Sequence, residues 1–138
     1  MTYTKRYTMR AHALDAWLKA LRSGEYTQGT LKLRRTDENG QKSFCCLGVL
    51  SDLAVKEGVC KWNDDITHSS VDGVDAFLPD SVISWAGLAD MSCQRTRPYD
   101  PVVFIHTQCA TANLSILNDD GKTFMEIADI IEQNVQPV

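Results

Sequence analysis

A chain of 138 residues with a net charge of −4, 43% hydrophobic and 23% charged, carries enough apolar side chains for one buried core and too little length for two; its balance excludes a disordered or fibrous class. Net acidity argues against general duplex-DNA binding, which needs a basic footprint, and no run reaches the roughly 18 apolar residues of a membrane span. Met1 to Tyr7 lacks the apolar centre of a signal peptide, so a single cytosolic domain over residues 1–138 is expected.

Leu14, Trp17, Leu18 and Leu21 recur at helical spacing and Gly24 follows where a helix would stop, which predicts an amphipathic first helix with Trp17 on its core stripe. After a linker from Glu25 to Gly29, Leu31 and Leu33 alternate with Lys32 and Arg34, and Asn39-Gly40 is a hairpin turn pair. Two strands are expected there, the second ending at Phe44-Cys45-Cys46. Leu47 to Lys56 reads as a helix closed by Gly58, and Val59 to Trp62 as a short strand.

Residues 63–76 carry Asp64, Asp65, Asp72 and Asp75 with little periodicity, and read as an exposed acidic loop without the ordered spacing of a calcium loop. Leu78-Pro79-Asp80 starts a short helix that ends near Gly87 and buries Val82, Trp85 or Leu88. An irregular loop from Asp90 to Asp100 leads to Val102–Ile105, read as a buried strand with His106 at its end. A helical turn through Ala112, Leu114 and Leu117 precedes Asn118-Asp119-Asp120-Gly121. Thr123-Phe124-Met125-Glu126 is then a capping box opening a last helix whose apolar face is Phe124, Ile127, Ala128 and Ile131. This order predicts the α+β class: one small domain with a short antiparallel sheet covered by helices near both ends of the chain.

Five cysteines, an odd number without metal-ligand spacing, fit reduced thiols packed as small apolar groups, and neither a metal nor a cofactor is expected. Chemistry concentrates between Thr30 and Lys56. A strand running straight into a helix aims the first N–H groups of that helix above the sheet, where they favour anions and thiolates. Arg22, Lys32, Arg34 and Arg35 supply cations for phosphate oxygens, and Tyr26 and Trp62 supply rings on which a base could stack. The same alternation of Lys32 and Arg34 with leucines is also how a solvated strand face reads.

The segments Trp17 to Gly29 (Trp-Leu-Lys-Ala-Leu-Arg-Ser-Gly-Glu-Tyr-Thr-Gln-Gly), Phe44 to Leu53 (Phe-Cys-Cys-Leu-Gly-Val-Leu-Ser-Asp-Leu) and Leu117 to Glu132, with Pro79 to Leu88 between them, resemble a family of small, uncharacterised accessory proteins of tailed bacteriophages. The resemblance implies a non-structural, counter-defence protein of the host cytoplasm that sequesters a nucleotide signal or blocks a host protein. It brings no catalytic residue set with it.

Three functional readings follow. The first is a binding protein for a phosphate-bearing host immune nucleotide, with Arg22, Tyr26, Lys32, Arg34, Arg35 and Trp62 as the ligand-binding set and no catalytic residue. The second is an inhibitor of a host defence enzyme, in which the acidic stretch from Asn63 to Asp75 mimics phosphates. The third is a thiol hydrolase using Cys45 or Cys46 with His106. No membrane partner is expected, and a homo-oligomer is compatible with all three.

Overall fold

The structure is a computed structural model that describes residues 7–64, 68–76, 78–88, 114 and 116–138. Its elements follow in chain order. Strand β1 (Tyr7–Met9) leads into α1 (Ala11–Ser23); β2 (Arg34–Thr36) and β3 (Lys42–Phe44) form a hairpin; α2 (Cys46–Lys56) is followed by β4 (Asn63–Asp64), β5 (His68–Ser70) and α3 (Asp80–Ala86); α4 (Phe124–Asn134) and β6 (Val135–Pro137) close the chain. The α+β class, with a short antiparallel sheet flanked by helices, is the one expected.

Two sheets organise these elements. In the four-stranded sheet, ordered β3-β2-β5-β4, every pairing is antiparallel, whereas β1 and β6 make a separate parallel pair that ties the start of the described chain to its end. Around them, α1 buries Leu14, Trp17 and Leu21, α2 buries Leu47, Val49 and Leu50, α3 buries Val82 and Trp85, and α4 buries Phe124, Ile127 and Ile131 in one apolar core. The capping box at Thr123 forms as its sequence requires: its Oγ1 accepts from the Glu126 amide at 3.2 Å, and its own amide donates to the Glu126 carboxylate at 3.1 Å.

Four local expectations are corrected. Residues 30–33 are bends, and β2 begins only at Arg34. Leu31 holds φ at 70°, its amide donates to Asp119 Oδ1, and the Lys32 amide closes back on the Thr30 carbonyl at 2.8 Å, so the leucine is 59% exposed in a tight three-residue turn. Asn39-Gly40 closes a longer loop than a two-residue turn: the Gly40 amide bonds Asp37 O, Gly40 takes the positive φ, and Asp37 Oδ1 accepts from the Asn39 and Gln41 amides. The short strand falls at Asn63–Asp64 and not at Val59–Trp62, and the stretch from 63 to 76 is built into the sheet, β5 lying between β2 and β4. Of the later expectations, Leu114 and residues 116–119 are helical, while the loop from Asp90 to Asp100, the Val102–Ile105 strand, His106 and Ala112 lie outside the described residues.

Candidate functional site

Strand alternation divides the candidate residues between two faces of the sheet. Arg34 stands opposite Phe44 and Ser69, and Arg35 opposite Ser43 and His68. The first set is buried against the core, and Arg34 is only 8% exposed. An arginine so placed must have its donors matched. Its Nε donates to Ser69 Oγ at 2.9 Å and Nη2 to Asp64 Oδ1 at 2.7 Å, while the guanidinium lies 4.4 Å from the centroid of the Trp62 ring. Ser69 and Arg34 together hold the Asp64 carboxyl below its ordinary range. Arg34 is therefore a pin that fixes β4 to β2, and its charge is committed.

The aromatic residues sit on this same covered side. Tyr26 meets Phe44 edge to face with ring centroids 5.0 Å apart, and Phe44 meets Trp62 at 6.4 Å. Their polar edges converge on one carboxylate of α2: the Tyr26 hydroxyl donates to Asp52 Oδ2 at 2.6 Å and Trp62 Nε1 donates to Asp52 Oδ1 at 3.0 Å. Burial and the Asp52 hydrogen bond raise the Tyr26 hydroxyl above its ordinary pKa, and the hydroxyl accepts from Lys56 Nζ at 3.1 Å. Structure thus brings Tyr26, Arg34 and Trp62 together, as a packed network and not as a stacking platform. Asp52 was missed by sequence reasoning; a lone acidic residue on an otherwise apolar helix was its only signal.

Arg22 lies elsewhere. Its guanidinium spans Asp129 and Glu132 of α4 at 2.9 Å each, pinning α1 to the last helix.

Among the described residues, the opposite face of the sheet is open. Lys32, Arg35, Ser43 and His68, with Thr36 to Asn39 of the hairpin, line a concavity of about 980 Å³. Lys32 Nζ bonds Asp75 Oδ2 at 2.9 Å, and His68 Nε2 stands 3.3 Å from the same oxygen. The lysine holds the Asp75 carboxyl below its ordinary range. Arg35 is exposed and, among the described residues, makes no ion pair or side-chain hydrogen bond. Of the four cations named from the sequence, only Arg35 keeps its full valence for a ligand, with Lys32 beside it half-neutralised.

The start of α2 does not offer its N–H groups to a ligand. The Cys46 amide donates to the side-chain Oδ1 of Asn118, which also accepts from Gln28 Nε2, while Asn118 Nδ2 donates to the Gly29 carbonyl. Gln28 Oε1 in turn accepts from the Phe124 amide, and Trp17 Nε1 donates to the Cys46 carbonyl at 3.0 Å. Asn118 is 1% exposed, and this plug fills the place expected for an anion. Neither Gln28 nor Asn118 was legible as a capping group, because the amides they cap stand 96 and 72 residues away along the chain.

Both cysteines at the junction are buried, and burial pushes the Cys45 thiol up to about 11 and raises Cys46 as well. Such thiols resist ionisation, the reverse of what a nucleophile needs. The acidic stretch is similarly committed: Asp64 to Arg34 and Ser69, Asp72 to Ser81, and Asp75 to Lys32. Asp65 lies outside the described residues.

Comparison with known proteins gives one family. The chain belongs to the family described as a domain of unknown function, DUF8296, whose family model matches residues 9–135. No curated protein and no solved structure matches the chain.

Proposed function

We propose that this protein is a non-catalytic binding protein that captures a phosphate-bearing small molecule on the open face of its sheet. The observation that carries this reading is the contrast at β2: Arg34 is buried and internally matched, whereas Arg35 is exposed, unpaired among the described residues, and lines an open concavity with Lys32, His68 and Ser43. A guanidinium beside an ammonium and a hydroxyl is a set that recognises phosphate oxygens by charge-assisted hydrogen bonds. The resemblance to phage accessory proteins would make the ligand a host nucleotide signal and the effect its sequestration.

Calorimetric titration of nucleotides into wild type and the Arg35→Ala and Lys32→Ala variants tests this. Loss of Arg35 should weaken capture by about 1.5–3 kcal/mol, the range for hydrogen bonds to charged groups, and Lys32 by less because Asp75 already shares its charge. Added salt should weaken binding further by screening. Absence of nucleotide binding, or full binding by Arg35→Ala, would sink the reading.

The hydrolase reading finds no support in two buried, un-ionised thiols. For inhibition by acidic mimicry, the described carboxylates of the 63–75 stretch already have partners, so it ranks behind capture. Pull-down of a host protein by a chain that binds no nucleotide would reverse that order.

A further inference from the structure

We infer that the ligand on the open face is read through its phosphate groups alone, so that a nucleotide and a free inorganic polyphosphate are equivalent to this site. The inference rests on the capture proposed above and adds the ligand's recognition element. It stands on the register of the sheet. Because Arg35 aligns with Ser43 and His68 while Arg34 aligns with Phe44 and Ser69, the cationic side and the aromatic side are opposite faces of one sheet, and one small ligand cannot reach both.

The chemistry of the two faces is equally divided. On the covered face, the Tyr26, Phe44 and Trp62 rings pack against one another, Arg34 covers Trp62, and Asp52 accepts from both polar edges. No base can enter between them without breaking that network. On the open face, the lining offers a guanidinium, an ammonium, hydroxyls, the carboxamide of Asn39 and, at the hairpin turn, the carboxylates of Asp37 and Glu38. The one ring among the described lining residues, His68, meets Asp75 through Nε2. Asp37 already accepts from two backbone amides through Oδ1.

Arg35 presents a planar fork that matches two oxygens of one phosphate, Lys32 a point charge for the next, and Ser43 a hydroxyl that turns to either. Stacking on a protein ring typically contributes roughly tenfold to hundredfold in affinity per base, and among the described residues the lining of this face supplies no flat apolar partner for it. The body attached to the phosphates is left in solvent.

Titration of inorganic triphosphate, ATP, GTP and adenosine into the full chain, in metal-free buffer at low salt, tests the inference. The three triphosphates should bind within about threefold of one another and adenosine should not bind, since only the shared phosphate chain is read. Arg35→Ala should weaken all three by the same factor, about tenfold or more, and Tyr26→Phe, which keeps the ring and loses only the hydroxyl's bonds to Asp52 and Lys56, should leave all three unchanged. An advantage of about tenfold or more for ATP or GTP over triphosphate, or for one base over the other, overturns phosphate-only recognition while capture itself stands. Binding of none of the four overturns both.

Discussion

At the foot of α2, polar groups are buried and matched; on the open face of the sheet, charge is exposed and partly unmatched. The first region joins Trp17, Gln28, Cys46 and Asn118 through hydrogen bonds that run between α1, the linker after it, α2 and the helical residues 116–119 before α4. The second holds Arg35 and Lys32 over a concavity. The segments whose sequence resembles phage accessory proteins supply all four residues of the junction, and none of the lining of the concavity falls within them. That likeness therefore reports how the domain is assembled. The face proposed for binding is built mainly by hairpin residues that those segments do not reach.

If the junction is the rigid part, the change that disturbs it most should be the addition of one carbon at Gly48. A Cβ there would overlap the carbonyl oxygen of Leu33, a backbone atom that cannot swing aside. Gly48→Ala must separate α2 from the segment leading into β2, and should cost about 4 kcal/mol or more by urea denaturation, in the range reserved for steric and core failures. A loss under about 1 kcal/mol would show that α2 slides freely over residue 33 and that the junction is not rigid.

The next effect in size belongs to Asn118. Asn118→Ala leaves the buried Cys46 amide and the Gly29 carbonyl without their partner and takes one of the two acceptors of Gln28 Nε2, which keeps the Lys122 carbonyl. Orphaning buried polar groups costs about 1–3 kcal/mol each, partly recovered by water at the more open Gln28 end, so a loss of about 2–4 kcal/mol is expected in the same measurement. Asn118→Asp sharpens the point, since it keeps the acceptor for Cys46 but sets a buried carboxylate oxygen against the Gly29 carbonyl; it should cost at least as much as alanine. Near-neutral behaviour of both variants would erase the distinction between the two regions.

How much of this was legible in the sequence depends on the range over which each residue acts. The α1 stripe through Trp17, the α4 face and the Thr123 capping box are governed by neighbours three or four positions away, and each forms as its pattern requires. The split of Arg34 from Lys32 was not legible. Composition makes Lys32 and Arg34 look equivalent, but the tight turn at Leu31 delays β2, and Trp62, Ser69 and Asp64, all about 30 residues downstream, claim Arg34. Likewise the acidic stretch looks free because β5, inserted between β2 and β4, is only three residues long and carries no apolar alternation. Within the candidate set, the sequence pointed to the hairpin that lines the concavity and could not say which of its cations face solvent, because that depends on strand register.

The smallest and most selective effect concerns Asp75, the carboxylate that stands behind the open face. It bonds Lys32 at 2.9 Å and lies 3.3 Å from His68, with its side chain about a third exposed. Such solvent-screened pairs contribute under about 1 kcal/mol, so Asp75→Asn should change stability little, while triphosphate affinity should rise a few-fold as Lys32 recovers its charge. The pH dependence separates the two consequences. The Lys32 hydrogen bond lowers the Asp75 pKa in the folded state, so the unfolded chain takes up the proton first as pH falls. The pair's contribution is then fully present above the ordinary carboxylate pKa of about 4 and is lost as pH drops through the lower folded value. Thermal melts of wild type and Asp75→Asn should differ by a small constant amount from pH 7 to about 4 and converge below that. A gap that persisted unchanged into stronger acid would mean that Asp75 holds its place through the Leu33 amide bond to its backbone carbonyl, with the side-chain charge contributing nothing. In that case Lys32 would already be fully available to a ligand, and Asp75→Asn would leave triphosphate affinity where it was.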